Sequence, residues 1–330
     1  MDQDAVTAVI DRYGRFARDE APGRSLVYEA WAQRIAIDPE LAAVLARIPD
    51  THRQPPLVFA VMRLLGAPLV TGDRWAAWVL AHADAVVAES GRRSVQTNEP
   101  LRCAALLPAL SLIDGPIALI EIGASAGLCL YPDRYSYRFR SSDGVVTSLD
   151  PTDGPSAVVL ESDVDGGPPL RLPRVVWRAG IDLQPLDARD PADRAWLTGL
   201  VWPGEEGRLE RITAALDIAA ADPPLLVAGD GAAALPALAA LAPRDATLVV
   251  TTPGVLAHVP RRHRGAVIDA ARTAGRWVTL DAAGLHDAWN ETPELRPGGF
   301  ALALDGDVLA GVDPLGAWVA WHPGSAARPQ

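Results

Sequence analysis

From Asp4 to Arg18 the apolar residues Val6, Val9, Ile10, Tyr13 and Phe16 return every three or four positions, a spacing that predicts an amphipathic helix. Ser25–Ile37 repeats it with Leu26, Tyr28, Trp31 and Ile35. Further helices are expected from Pro39 to Ile48, from Pro55-Pro56 to Leu65, and from Arg74 to Ser90 behind an Asp73 cap. Nothing here alternates with period two, so residues 1–112 read as an all-helical region. Tyr13, Trp31, Trp75 and Trp78 are its expected core anchors. A polar cluster, Gln96-Thr97-Asn98-Glu99-Pro100, interrupts the helices. Thr97 or Asn98 caps a helix that Pro100 starts, or the cluster borders a site, and Arg102 one turn on is placed to meet a carboxylate.

From Gly115 the pattern changes to short apolar runs alternating with helical stretches, which argues for a parallel sheet with crossover helices over residues 113–330. Strands are expected at Ile117–Ile122, Tyr135–Phe139, Leu225–Ala228, Ala246–Thr252 and Trp277–Leu280, with a short helix around Leu128–Arg134 between the first two. Residues 140–175 are rich in Gly, Pro and Asp, and with the polar loop that follows they read as a β-rich insertion over about 140–187, after the second strand. A long helical region over 190–221 breaks at Trp202-Pro203-Gly204. Phe300–Leu304 and Val308–Val312 form a hairpin across Asp305-Gly306-Asp307, because Asp-Gly favours a tight primed turn.

The chemistry concentrates where the first strand ends, in Ile117–Leu128, IALIEIGASAGL. Glycines there permit positive φ and close approach of a ligand to bare backbone, and a following helix would present free N–H groups. As E-x-G-x-S-x-G the stretch resembles the first motif of Rossmann-like S-adenosylmethionine methyltransferases. As G-x-S-x-G it is a nucleophile elbow exposing Ser125. An elbow follows several strands of its own sheet and needs an oxyanion loop, whereas only helices precede Ser125, and Glu121 has no role in it. A nicotinamide dehydrogenase needs G-x-G-x-x-G and an acid closing the second strand, but Tyr135–Phe139 ends in Arg138-Phe139-Arg140. The same gap removes the ribose-binding acid of the methyltransferase reading, for which Asp182 or Asp187 is a substitute.

Composition narrows the classes. A formal charge of −11 argues against a nucleic-acid scaffold, and no apolar run reaches the roughly 20 residues of a membrane span. The start lacks the pattern of a secretory signal, and Cys103 and Cys129 have no metal-ligand spacing, so a reducing cytoplasm is the expected setting. All 30 basic residues are arginine, which removes the P-loop lysine and Schiff-base chemistry.

QTNEPLRCAALLPAL, IEIGASAGLCLYPDRYSY, WRAGIDLQPLD, DRAWLTGLVWP with RLERITAAL, and DPLGAWVAWHP together resemble a bacterial, mainly actinobacterial family, DUF2332. The resemblance implies a methyltransferase-like fold and no particular reaction. The expected architecture is α/β: a Rossmann-like methyltransferase sheet with helices on both faces, under an N-terminal helical lid. Ligands of open α/β sheets lie beyond the carboxyl ends of strands. The expected cofactor, S-adenosylmethionine, then meets the loop Gly123, Ala124, Ser125 and Gly127 at its methionine end. Glu121 takes its ammonium and Asp230 its adenine amine. His258 or Glu99 supplies a base, and Asn98, Arg178 and Asp182 hold a small-molecule substrate, unless Arg178 and Asp182 only pin the insertion. A non-catalytic protein binding this cofactor or another metabolite is the alternative.

Overall fold

The computed structural model describes residues 3–96, 98–205, 207–291 and 294–322. The chain forms two compact units, Met1–Thr97 with Asp190–Glu210, and Asn98–Arg189 with Arg211–Gln330.

The first unit contains α1 (Gln3–Asp19), α2 (Leu26–Ile37), α3 (Pro39–Ala46), α4 (Pro55–Leu64), α5 (Asp73–Ala81) and α6 (Ala83–Ser90). Ser25 caps α2 by accepting from the Tyr28 amide, and Asp38 caps α3. The expected helix over Arg74–Ser90 is two helices meeting at His82, and Asp73 lies inside the first of them behind Gly72. Trp31 is fully buried against Trp75, the rings stacked at 4.8 Å, and donates its indole N–H to the Val70 carbonyl.

The second unit opens with α7 (Arg102–Leu110) and then β1 (Pro116–Ile122). There follow β2 (Ser136–Ser141), β3 (Val146–Leu149), β4 (Val159–Asp165) and β5 (Arg174–Asp182). The excursion into the first unit carries α8 (Pro191–Gly199) and the start of α9 (Arg208–Ala221), with Trp202-Pro203-Gly204 in the break between them. The second unit resumes with β6 (Leu225–Ala228), α10 (Gly231–Ala239), β7 (Thr247–Pro253), α11 (Arg261–Ala274), β8 (Arg276–Ala282), β9 (Phe300–Leu304), β10 (Asp307–Val312) and β11 (Trp318–Trp321). In the β9–β10 turn both Asp305 and Gly306 have positive φ, 55° and 96°, as a type I′ turn requires.

All strands join one 11-stranded sheet, ordered β3-β2-β4-β11-β10-β9-β8-β7-β1-β5-β6. The five strands β6, β5, β1, β7 and β8 are mutually parallel. β9 reverses direction beside β8. Ile120 and Ile122 of β1 pack with Ala179, Ile181, Val250 and Trp277 against Leu235, Leu238, Val267, Ile268 and Ala271 of α10 and α11. Strand alternation therefore turns Glu121 to the opposite face.

This order corrects two expectations. β2 is not the neighbour of β1; it lies at the far end of the sheet, between β3 and β4. The strand beside β1 is β5, from the stretch read as insertion, with Glu121 paired to Gly180 and Ile122 to Ile181.

Candidate functional site

The polypeptide leaves β1 through a loop that holds itself closed. Gly123 and Ala124 both donate to the Ile181 carbonyl of β5, at 2.8 and 3.1 Å. The Ser125 amide donates to Asp182 Oδ2 at 2.8 Å, the Ala126 amide to Asn98 Oδ1 at 3.2 Å, and the Gly127 amide to the Ala124 carbonyl at 2.6 Å. Five consecutive amides are thus committed inside the protein. Asn98 also donates to the Ser125 hydroxyl, and the Leu186 amide donates to the Ser125 carbonyl at 3.1 Å. These bonds hold Ser125 at φ 51°, a left-handed conformation that a non-glycine residue adopts only at a cost. Glycine is required at two places. A side chain on Gly123, at φ 78°, would collide with Val255 after β7, and one on Gly180 would collide with Ala124.

No long helix follows the loop. Leu128–Leu130 is a single 3-10 turn, so the expected helix over Leu128–Arg134 and its free N-terminal amides are absent. Pro132 supplies the reason, since it disfavours helical backbone at Tyr131, which sits at φ −117°. With neither free loop amides nor a helix dipole, the loop has little to offer a phosphate.

What the loop does border is a carboxyl group. Glu121 is 4% exposed, and its Oε2 has no hydrogen-bond partner among the described residues. Burial pushes its pKa well above the ordinary carboxylate range; neighbouring Cys129 and Asp182 push the same way, and only Arg102 opposes them. Arg102 does not pair with it, because its guanidinium donates to the carbonyls of Pro253 and Pro314, each at 3.0 Å.

The remaining candidates fall into place individually. Asp182 ends β5 beside the loop, each oxygen accepting one backbone amide, from Ser125 and from Gln184. Asn98 is buried and clamps the loop; Thr97 lies outside the described residues. Glu99, also buried, accepts from Arg211 at 2.9 Å and from the Leu101 amide. Arg178 bonds to Asp133 rather than to Asp182. It forks onto Asp133 at 3.2 and 3.3 Å and lies over the Tyr131 ring, pinning the segment that follows the loop. Asp230 follows β6, is exposed, and caps α10 by accepting from Ala232 and Ala233 at 3.1 and 3.0 Å. His258 is exposed in the segment between β7 and α11.

A second polar group escaped the sequence reading. Asp281, fully buried near the end of β8, accepts from the Thr279 hydroxyl and faces His286 Nε2 at 3.8 Å. Burial raises its pKa, against the lowering influence of His286 and Thr279. The one available signal was an acid interrupting the apolar run Val278-Thr279-Leu280-Asp281 at a strand end.

Over residues 10–321 the chain matches the model of a family described as uncharacterized proteins conserved in bacteria, DUF2332, and it belongs to that family. No curated protein and no solved structure matches it. No helix among the described residues is long and apolar enough to cross a membrane.

Proposed function

We propose that this DUF2332 member is a Rossmann-like S-adenosylmethionine-dependent methyltransferase acting on a small molecule. The order β6-β5-β1-β7-β8 follows the 3-2-1-4-5 order of doubly wound sheets, whose ligands lie where the order reverses, here between β1 and β7. The single observation carrying the reading is the mismatch at that point: the five amides of Gly123–Gly127 are occupied, while the buried Glu121 Oε2 has no partner among the described residues. Such a site offers acceptors, and a cation placed beside Glu121 would favour its ionised form. It suits the ammonium and sulfonium of S-adenosylmethionine and disfavours a dinucleotide pyrophosphate.

Glu121 takes the ammonium in this reading, with the carbonyl-bearing side of Gly123–Gly127 along the methionine chain. Asp182 ends the strand next to β1, where doubly wound folds carry the ribose-binding acid. Its two oxygens have lone pairs beyond the two backbone amides they accept. Asp230 caps α10 through Oδ1 and keeps Oδ2 for the adenine amine. When bound there, S-adenosylmethionine would supply an electrophilic methyl group to an acceptor lone pair, with the sulfur–carbon bonding pair leaving on the sulfur of S-adenosylhomocysteine. Positioning supplies most of the acceleration. His258 takes the acceptor's proton where a base is needed, since Glu99 is engaged by Arg211.

Calorimetric titration of the purified chain with S-adenosylmethionine and S-adenosylhomocysteine tests the reading. Saturable one-to-one binding of both is expected, with the homocysteine form at least as tight. Binding of S-adenosylmethionine alone favours a non-catalytic binding protein, and binding of neither removes the cofactor altogether.

A further inference from the structure

On the α11 side of the sheet His286 lies against both Asp281 and Trp289, and each of the three carries a buried polar atom with no hydrogen-bond partner among the described residues. The atoms are Asp281 Oδ1, His286 Nε2 and Trp289 Nε1. Asp281 is fully buried and the His286 side chain is 4% exposed. His286 lies 3.8 Å from Asp281 Oδ2, too long for a hydrogen bond, and its ring packs on Trp289 with centroids 4.2 Å apart. Buried polar atoms are almost always paired, so three orphans in one contiguous group point to an absent guest. We propose that Asp281, His286 and Trp289 form a binding site for the hydroxyl group of a small neutral alcohol or phenol.

The hydrogen-bond inventory selects the guest. The Ala288 amide donates to His286 Nδ1 at 3.2 Å, which places the ring proton of the neutral imidazole on Nε2. Trp289 Nε1 is a donor only, and a carboxylate Oδ1 is an acceptor only. Two donors and one acceptor match a hydroxyl oxygen, which accepts twice and donates once. An ammonium has no lone pair for the two donors, and a carboxylate or phosphate would meet Asp281 charge to charge. The surroundings select the rest of the ligand. The Trp277 ring lies 5.8 Å from His286, and Leu285 and Ala288 pack on the neighbouring apolar cluster, so the hydroxyl belongs on an apolar or aromatic body. Trp289 is itself only half-buried, which puts solvent one side chain away.

Phenol and anisole are the probes, because they share a ring and differ in the proton offered to Asp281. The full chain labelled with nitrogen-15 is titrated with each, following the indole N–H signals. The Trp289 signal is identified by its loss in Trp289→Phe. Phenol is expected to shift that signal saturably, with anisole at least tenfold weaker. Asp281→Asn and Trp289→Phe should each weaken phenol binding at least tenfold, the former read at the indole, the latter by calorimetry. His286→Gln keeps a donor and should bind phenol within about threefold of the parent should Asp281→Asn fail to fold. Equal affinity for phenol and anisole overturns the proposal, and so does unchanged phenol binding in Asp281→Asn or in Trp289→Phe. A Trp289 signal that phenol never moves means that water alone fills the site, which also overturns it. No S-adenosylmethionine is present, so neither this result nor the cofactor titration decides the other.

Discussion

Replacing Glu121 with glutamine should flatten the pH dependence of stability of the α/β unit. The parent carboxyl has an ordinary value of 4.5 when the chain is unfolded and a raised one when folded, because burial disfavours its charged form. Above the ordinary range the unfolded chain has released this proton while the folded chain retains it. Stability therefore falls as pH rises, until the folded group itself titrates. One full proton corresponds to about 1.4 kcal/mol per pH unit. At roughly 2–4 °C per kcal/mol for a unit of this size, the melting temperature of the parent loses about 3–6 °C per pH unit from this group. Glutamine cannot titrate, and its amide in the same unpartnered place costs about 1–3 kcal/mol. The variant should accordingly be the less stable protein near pH 5, and its deficit should shrink or reverse toward pH 8. Thermal unfolding followed by circular dichroism at pH 5, 6, 7 and 8 measures the difference, and subtracting the variant removes every other titrating group. Parallel curves would refute the inference that Glu121 is buried without a partner. Adding S-adenosylmethionine extends the assay: its ammonium should stabilise the ionised carboxylate and raise the parent's melting temperature most at high pH. Equal stabilisation of parent and variant would show that the cofactor does not touch Glu121.

Asn98→Ala orphans the Ala126 amide and the Ser125 hydroxyl, both buried, at about 1–3 kcal/mol each, and should lower stability in a urea titration; an unchanged midpoint would mean that the clamp is idle. Asp230→Ala should cost about 1 kcal/mol as a lost helix cap and, with a contact to adenine, weaken S-adenosylmethionine by tenfold or more. Stability loss with unchanged affinity would confine Asp230 to capping. Trp31→Ala should cost about 3–5 kcal/mol through the cavity it leaves beside Trp75, measured by denaturant unfolding, and a loss under 1 kcal/mol would contradict its burial.

Features governed by neighbours in the chain were legible from sequence alone. The helices over residues 3–90 follow from apolar spacing, the break at Trp202-Pro203-Gly204 from its proline and glycine, and the hairpin at Asp305-Gly306 from the positive φ that pair tolerates. The strand β1 and its glycine turn were legible for the same reason: an apolar run ending in glycines needs no distant partner to be recognised. Even the absent helix after the turn had a local cause, Pro132, which the apolar pattern of Leu128–Leu130 obscured.

Partnership across the sheet is another matter. Backbone hydrogen bonding does not distinguish one strand from another, so nothing in Tyr135–Phe139 or Arg174–Asp182 says which of them lies beside β1. Packing made the choice: Gly180 leaves room for Ala124, and the Ile181 carbonyl receives the Gly123 and Ala124 amides. That choice brings Asp182 to the end of the adjacent strand, supplying an acid where sequence order showed a gap. Tertiary structure likewise turned Asn98 into a clamp, gave Glu99 to Arg211 and Arg178 to Asp133, and left Glu121 and the Asp281–His286–Trp289 group unmatched. Sequence determines which groups are polar; only the folded chain decides which of them find a partner, because burial and partnership depend on segments far apart in sequence.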